Sequence, residues 1–353
     1  MKNNPYQPII IWLLCGCFLI IGMVIIGGIT RLTGSGLSMV EWNVVMGAIP
    51  PLNDQQWQEA FDKYKHYPEY LNINYDFSIS NFKHIFFWEY LHRLIGRLIG
   101  IVFMVPFIYF WIKKKFDMPL LLKLFIILVL GGFQGVLGWY MVQSGLIDNP
   151  DVSHYRLAAH LISAFTVYAY TFWVTLDLIY HTFSLLGRGV GGEVSSIRKG
   201  VIALFALVIL QIIYGAFVAG LDAGKLYNTF PKMGDEWIAQ SVTAMKPFYL
   251  NFLESRGGIQ FVHRCIAYVV FTFTIVLWYK SRSLALSPQQ KLGFNLLFLA
   301  VCIQVTLGIF TLLYSVPIVL GVLHQLGALV LFTTIIYLLH QLKFSPIQKE
   351  HVL

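Results

Sequence analysis

The sequence predicts an all-α polytopic membrane protein whose eight transmembrane helices form two parallel-repeat four-helix bundles. Hydrophobic residues make up 57% of the 353 residues and charged residues only 12%, a composition that excludes a soluble globular chain and a disordered one. The charged residues fall between apolar segments, as expected when each spanning helix needs about 20 apolar residues. The formal net charge of +8 therefore reflects the loops, and we expect no nucleic-acid partner.

Eight apolar segments are the predicted membrane spans. They cover approximately residues 9–30, 86–111, 120–142, 155–180, 200–220, 259–279, 292–314 and 317–341. The first segment lacks the small-residue cleavage site of a signal peptide and is interpreted as a retained span. The four cysteines all lie inside these segments, so no disulfide bond between loops is predicted.

The distribution of Lys and Arg predicts the orientation in the membrane. Thirteen cations but only four acids lie on the side that holds both termini, whereas acids outnumber cations on the opposite side. By the positive-inside rule, both termini are expected in the cytoplasm. No Arg-rich amphipathic transit segment precedes the first span, which favours a bacterial inner (cytoplasmic) membrane.

Two halves of the chain carry similar motifs in the same order. We divide the chain into an N-terminal half (residues 1–186), a glycine-rich inner linker (187–198) and a C-terminal half (199–353). Because each half has an even number of spans, both halves cross the membrane in the same sense, which predicts a parallel repeat. The matched positions are Gly27 with Gly215, His92-Arg93 with His263-Arg264, Gln134 with Gln304, Gly138 with Gly308 and His160 with His324.

Four histidines lie inside predicted spans at these repeated positions: His92 and His160 in the first half, His263 and His324 in the second. Each follows the predicted start of its span by about two turns or less, so all four should lie at a similar depth near the outer side. Two imidazoles from different helices of one bundle, at matched depth, are what axial ligation of a haem iron requires. The alternative is hydrogen bonding between helices. Four repeated ionisable residues favour metal ligation, because such residues are rare in spans and usually functional.

The halves differ three residues before the first histidine of each pair. Glu89 precedes His92, and this spacing places both side chains on one helix face, whereas the matching residue of the second half is Gln260. A carboxyl group can transfer protons and an amide cannot. Glu89 is therefore the candidate catalytic residue, and the first half is the reactive one. The alternative is a plain ion pair between Glu89 and Arg93.

Three arginines are candidates for binding the cofactor. Arg31, Arg93 and Arg264 lie near the outer ends of their spans, close to the expected level of the haems. Guanidinium groups bind carboxylates such as haem propionates well. Snorkelling toward the lipid headgroups would place the same side chains equally well.

Longer motifs give the chain a resemblance to a known family. They are residues 27–38 (GGITRLTGSGLS), Glu41-Trp42, Pro50-Pro51, Pro68-Glu69-Tyr70, 89–93 (EYLHR), 219–224 (AGLDAG) and 227–231 (YNTFP). Together, over nearly the whole length, they resemble haem A synthase, an enzyme family of cytochrome oxidase assembly. The long first outer loop has no cysteine pair and is similar to the branch that includes the mitochondrial members.

The resemblance implies a membrane oxidoreductase that converts the ring-D methyl group of haem O into a formyl group, giving haem A for cytochrome oxidase. It further implies that Glu89 is the essential carboxylate, that His92 and His160 hold the substrate haem O, and that His263 and His324 ligate a resident haem B. The implied partners are haem O, haem O synthase as its supplier, a quinol or another electron donor, and membrane lipid. A homo-oligomer is left open.

Two other functions compete with this one. A dihaem b-type membrane electron carrier would use the same histidine pairs, but it would not require Glu89. A transporter, with inward-facing polar residues along a pathway, would have helices interrupted near the bilayer midplane, whereas the polar residues here gather at the outer ends of the spans.

Overall fold

Eight long apolar helices form the body of the computed structural model, which describes residues 4–41, 49–147, 150, 152–180 and 192–343. They are α1 (Gln7–Leu32), α4 (Ile79–Ile112), α5 (Met118–Gly145), α6 (His154–Ile179), α7 (Gly192–Gly220), α8 (Arg256–Ser281), α9 (Pro288–Leu313) and α10 (Ile318–Gln341). All eight are long and apolar enough to cross a bilayer, which confirms the predicted all-α fold class with eight spans. Two shorter helices, α2 (Asp54–Tyr64) and α3 (Pro68–Asn72), lie between α1 and α4. Residues 187–191 of the predicted linker lie outside the described residues, and residues 192–198 belong to α7.

Short polar side chains mark several helix starts. Ser78, Asp117, Ser255 and Ser287 each accept a hydrogen bond from a backbone N–H in the first turn of α4, α5, α8 and α9, respectively. Such N-caps satisfy donors that have no partner within the helix. α5 and α9 also carry proline in the first turn, where its missing N–H is not needed.

The eight long helices pack as two rings of four. In the first ring α1 contacts α4, α4 contacts α5, α5 contacts α6, and α6 returns to α1. In the second ring α7, α8, α9 and α10 follow one another in the same order. The rings meet where α1 contacts α10 and where α6 contacts α7. This order agrees with a duplicated four-helix unit, while the parallel repeat itself stays a prediction.

The largest apolar core contains residues from both rings. Val24 of α1 and Phe165 of α6 are buried in one cluster with Leu204 of α7, Phe294 of α9 and Leu329 of α10. Because lipid tails are as apolar as these side chains, close packing rather than the hydrophobic effect holds such helices together. The two halves therefore fold around a common interior.

The two ends of the bundle carry different segments. The end that we call the loop side carries residues 33–41, 49–78, 146–147, 150, 152–153, 221–255 and 314–317, and the other end, the terminal side, carries residues 4–6, 113–117, 282–287 and 342–343. On the loop side, segment 221–255 contains only short 3₁₀ turns. It is held by the fully buried Asn251, whose side chain accepts from the N–H of Met245 (2.8 Å) and donates to the carbonyls of Met245 (2.9 Å) and Phe248 (2.8 Å).

α4 begins earlier than the predicted span. It starts at Ile79 instead of residue 86, because Phe82 and Phe86 pack against Phe61 and Tyr64 of α2 in a loop-side cluster. His92 therefore stands thirteen residues into its helix. We predicted that each of the four histidines lies within about two turns of the start of its helix. This is wrong for His92, because α4 begins with extra turns that pack against α2.

A buried charge cluster joins three helices on the terminal side. Asp177 of α6 accepts hydrogen bonds from Lys123 of α5 (2.7 Å) and from Lys343, just beyond α10 (3.3 Å). The oxygen that accepts from Lys343, Oδ1, also lies 3.1 Å from Nε2 of the fully buried His340. Since α5 and α6 belong to the first ring and α10 to the second, this carboxylate holds the two rings together.

We expect Asp177→Asn to destabilise the protein by about 3–5 kcal/mol, because two lysines and a buried imidazole would lose their anion. Thermal unfolding in detergent, followed by circular dichroism, measures the change. The matched control is Asp62→Asn, which removes a carboxylate paired with Lys65 at an exposed site, where an ion pair contributes little. Equal effects of the two substitutions would contradict the role of Asp177.

Candidate functional site

The two histidines of the first half each lie against a glycine of a neighbouring helix. A Cβ atom built on Gly27 of α1 would stand 3.3 Å from Nε2 of His92, and one built on Gly138 of α5 would stand 3.1 Å from Cε1 of His160. Gln134, one turn before Gly138, donates to the backbone carbonyl of His160 (3.0 Å). We call these glycines the glycine seats, because the edge of an imidazole ring lies where a larger residue would place its side chain.

The second half repeats the arrangement. A Cβ atom built on Gly215 of α7 would stand 3.3 Å from Cε1 of His263, and one built on Gly308 of α9 would stand 2.8 Å from Cε1 of His324. Gln304, one turn before Gly308, donates to the backbone carbonyl of His324 (2.9 Å). The motif pairs found in the sequence thus occupy equivalent places in the two rings.

The histidines pair within each half. His92 and His160 are close enough to interact electrostatically, and so are His263 and His324. In the described part of the chain, Nδ1 of His263 and Nδ1 of His324 are buried without a hydrogen-bond partner. A neutral imidazole with a free ring nitrogen is a good iron ligand. In the second half the residues present therefore fit a haem held by His263 and His324, whereas haem binding by His92 and His160 stays a prediction.

Glu89 lies one turn from His92 and is only 3% exposed. Its Oε2 accepts from the hydroxyl of Ser38 (2.6 Å) and the N–H of Met39 (2.8 Å), and its Oε1 accepts from the guanidinium of Arg93 (2.6 Å). The ion pair with Arg93 that the sequence suggested as an alternative is present. It is one of three contacts, however, and the other two fasten the loop-side segment that follows α1.

The matching amide of the second half is bound differently. The side chain of Gln260 donates to the carbonyl of Tyr227 (3.1 Å), and its Oε1 is buried with no partner in the residues that the structure describes. The first half therefore holds a fully bonded carboxylate where the second half holds a partly bonded amide. A carboxyl group can transfer protons, whereas an amide cannot.

Arg93 and Arg264 hold the loop-side segments of their own halves. Arg93 donates to the carbonyl of Met39 (3.0 Å), and Arg264 donates to the carbonyls of Tyr227 (2.9 Å) and Thr229 (3.0 Å). Nε of Arg264 is buried without a partner among the described residues, so this arginine has a donor left for an anion. Binding of a haem propionate by Arg93 or Arg264 stays a prediction.

Arg31 links the two halves on the loop side. Its guanidinium donates to the carbonyls of Ala219 (2.7 Å) and Gly220 (3.1 Å) at the last turn of α7, and it lies 3.5 Å from Asp222. A cation at the carboxyl end of a helix is favoured by the helix dipole. Arg31 is thus bound to protein groups of the second half in this structure.

Sequence reasoning did not assign a role to the glycine seats or to Ser38. The seats were visible as repeated glycines, but that each would face a histidine depends on helix rotation. Ser38 ends the glycine-rich motif of residues 27–38, and its bond to Glu89 depends on the path of a loop. The signal that could have found the seats is the recurrence of both glycine and histidine at matched positions.

Comparison with known proteins gives a consistent result. Residues 10–336 match the family model COX15-CtaA, described as cytochrome oxidase assembly protein. A Flavobacterium psychrophilum protein named "Heme A synthase" is 51% identical over 345 residues, covering 97% of this chain and 99% of that protein. A protein of the same name from Nitrosospira multiformis is 47% identical and covers 97% of this chain and 95% of its own length. One from Parvibaculum lavamentivorans is 42% identical, with 97% and 96% covered. With matches of this length and eight spans in place, the chain belongs to the COX15-CtaA family of cytochrome oxidase assembly proteins.

Proposed function

We propose that the protein acts as a haem A synthase, a membrane oxidoreductase that oxidises the ring-D methyl group of haem O to a formyl group. The observation that carries this proposal is the glycine-seated histidine pair in each half, with a buried carboxyl group beside only one pair. The relatives named "Heme A synthase" that match nearly the full length support it.

The two histidine pairs have different roles in this proposal. His92 and His160 hold the substrate haem O beside Glu89, and His263 and His324 hold a resident haem B beside the neutral Gln260. Arg93 and Arg264 are the candidate cations for binding the propionates. When bound, the resident haem supplies one-electron transfer.

Glu89 accepts protons released as the methyl group is oxidised. Its Oε1 is fixed by Arg93, so Oε2 is the oxygen that can take a proton. The N–H of Met39 can only donate to that oxygen, but the hydroxyl of Ser38 can either donate or accept. Rotation of the Ser38 hydroxyl therefore lets the Ser38 oxygen accept a hydrogen bond from a protonated Oε2.

The membrane placement follows from the charge distribution. We propose that the loop side faces the outside of a bacterial inner membrane and that both termini face the cytoplasm, as the positive-inside rule indicates. Haem O, being amphiphilic, would arrive from the lipid phase or directly from haem O synthase. A quinol or another reductant would serve as the electron donor.

A dihaem electron carrier is the alternative, and haem extraction separates the two. The protein is purified from cells that make haem O and from matched cells that do not, and the haems are identified by chromatography. We expect haem B together with haem A or a partly oxidised haem in the first case, and haem B alone in the second. Two equivalents of haem B from both cell types would contradict the proposal and favour the carrier.

A further inference from the structure

A cavity of about 200 Å³ lies beside α8 in the second half. One wall is α8 itself, and the other is the turn at residues 231–238 of the loop-side segment 221–255. Its lining includes Trp237, Ile238, Phe261, Arg264, Cys265 and Tyr268. Sites that enclose a drug-sized ligand begin at roughly 300 Å³, so this cavity suits a small ring system rather than a whole lipid.

The cavity and His263 lie on opposite faces of α8. With 3.6 residues per turn, Phe261, Cys265 and Tyr268 share one face, and His263 points about half a turn away from it. His263 meets Gly215 of α7 inside the second ring, whereas Tyr268 is 45% exposed on the outside. A ligand in the cavity would therefore arrive from the lipid, and the width of one helix, about 10 Å, would separate it from the histidine pair.

The wall of the cavity carries hydrogen-bond donors without acceptors. Within the described ranges, the phenol of Tyr268 and the indole N–H of Trp237 bond to no other group, and Nε of Arg264 is buried without a partner. A lipid tail offers nothing to these donors, whereas oxygens on a ring would accept from them. The lining thus combines an apolar surface with donors for an oxygen-bearing ring.

Arg264 also fixes the turn that forms the second wall. Its terminal nitrogens donate to the backbone carbonyls of Tyr227 (2.9 Å), Thr229 (3.0 Å) and Lys232 (3.0 Å). Because these contacts occupy the ends of the guanidinium fork, it cannot bind a phosphate in the usual bidentate way. The wall therefore favours a neutral ligand over an anionic headgroup.

The side chains of this wall are not part of the repeat. His92 matches His263, so Leu94 and Arg97 occupy the positions that match Cys265 and Tyr268. The histidines, the glycine seats and the arginine after the first histidine are common to both halves. The outer face of α8 is therefore specific to the half in which the proposed resident haem would lie.

We propose that this cavity binds the headgroup of a quinol, which serves as electron donor to the haem held by His263 and His324. One quinol loses two electrons and two protons and becomes the quinone. The two electrons reduce the haem irons of two protein molecules from ferric to ferrous, and the protons leave to the water on the loop side. The inference rests on the proposed function, because it requires the resident haem. A protein reductant would dock on the water-exposed loops instead of on a lipid-facing helix face.

The first test measures binding without turnover. An azide-bearing ubiquinone analogue is photolysed with the purified protein, and the labelled peptides are identified by mass spectrometry. We expect the label within residues 231–238 and 261–268, and excess decylubiquinone should suppress it. Cys265→Phe, which adds a ring to the wall, should lower the labelling by roughly tenfold or more. Label spread over other lipid-facing helices, or unchanged in Cys265→Phe, would overturn the inference.

The second test follows reduction of haem B by decylubiquinol in a stopped-flow spectrometer. Tyr268→Phe removes one hydrogen-bonding group and should raise the half-saturating quinol concentration roughly fivefold, while dithionite still reduces as much haem B as in the wild type. Tyr279→Phe is the matched control, because it makes the same change on α8 at a site that is 74% exposed near the other end of the helix. Equal half-saturating concentrations in the two variants would contradict the role of Tyr268.

The outcomes separate this inference from the proposed function. If the purified protein contains no haem B, the proposed function fails, and photolabelling still tests the cavity. If haem B is present and decylubiquinol reduces it equally fast in the wild type and in Cys265→Phe, the cavity is not the quinol site. If the label lies in the cavity but the quinol does not reduce haem B, its role as electron donor is wrong.

Discussion

Glu89→Gln is expected to retain haem in both halves and to lower haem A formation by roughly 100-fold or more, the usual loss when a proton-transferring group is removed. Glutamine has nearly the same shape and can still bond to Ser38 and Arg93, so the histidine pair should stay in place. What is lost is a group that changes its protonation state. The measurement is haem chromatography of purified protein, with time courses of haem O loss and haem A gain.

The control for this substitution is Glu236→Gln, which changes an exposed acid on the loop side of the second half and should leave turnover unchanged. Glu89→Gln that forms haem A within about tenfold of the wild-type rate would show that another group carries the protons. A variant that loses its haem altogether would instead show that Glu89 acts by holding the loop-side segment over the site.

Gly308→Val should empty the second site while leaving the first intact. A Cβ atom at this seat would stand 2.8 Å from Cε1 of His324, which is too close, so the imidazole must move away from the position in which it pairs with His263. Loss of one of the two histidines that would hold the proposed resident haem should prevent its binding, and the amount of haem B per protein should fall by about one equivalent. Haem B is quantified by the pyridine haemochrome spectrum.

Gly138→Val makes the same change at the first site, where the distance to His160 is 3.1 Å, and should reduce binding of haem O while haem B is retained. Gly135→Val is the matched control, because nothing lies within 4 Å of a Cβ atom at Gly135, on the same helix. Gly308→Ala, with the smallest side chain, should cause a partial loss. Normal haem B content in Gly308→Val would show that the absence of a side chain at Gly308 is not needed to position His324.

The spans were predictable because each is a continuous apolar run, and the structure places most of their ends within a few residues of the expected positions. The start of α4 was missed for a physical reason. Its first turns mix polar and apolar residues, and Phe82 and Phe86 recur at helical spacing to face α2. A search for continuous hydrophobicity finds lipid-facing helices and overlooks an amphipathic extension of this kind.

The candidate site was predictable where one side chain stands out from an apolar background. His92 and Glu89 qualify, since ionisable groups in spans are rare. Their surroundings could not be derived in the same way. Which glycine faces a given imidazole depends on the rotation of two packed helices, and the partners of Arg93 depend on the course of a loop.

The length of α4 determines where Glu89 lies in the membrane. Glu89 precedes Ile112, the last residue of α4, by a rise of roughly 35 Å, and the hydrocarbon layer is only about 30 Å thick. With Ile112 at one edge of that layer, the carboxyl group reaches the opposite boundary, where the surroundings change from oil-like to aqueous over a few ångströms. A charge costs about 3 kcal/mol at the bilayer centre and far less near the headgroups. In the proposed function, the substrate would thus remain dissolved in lipid while Glu89, buried beneath the loop-side segment, lies at the level of the headgroups.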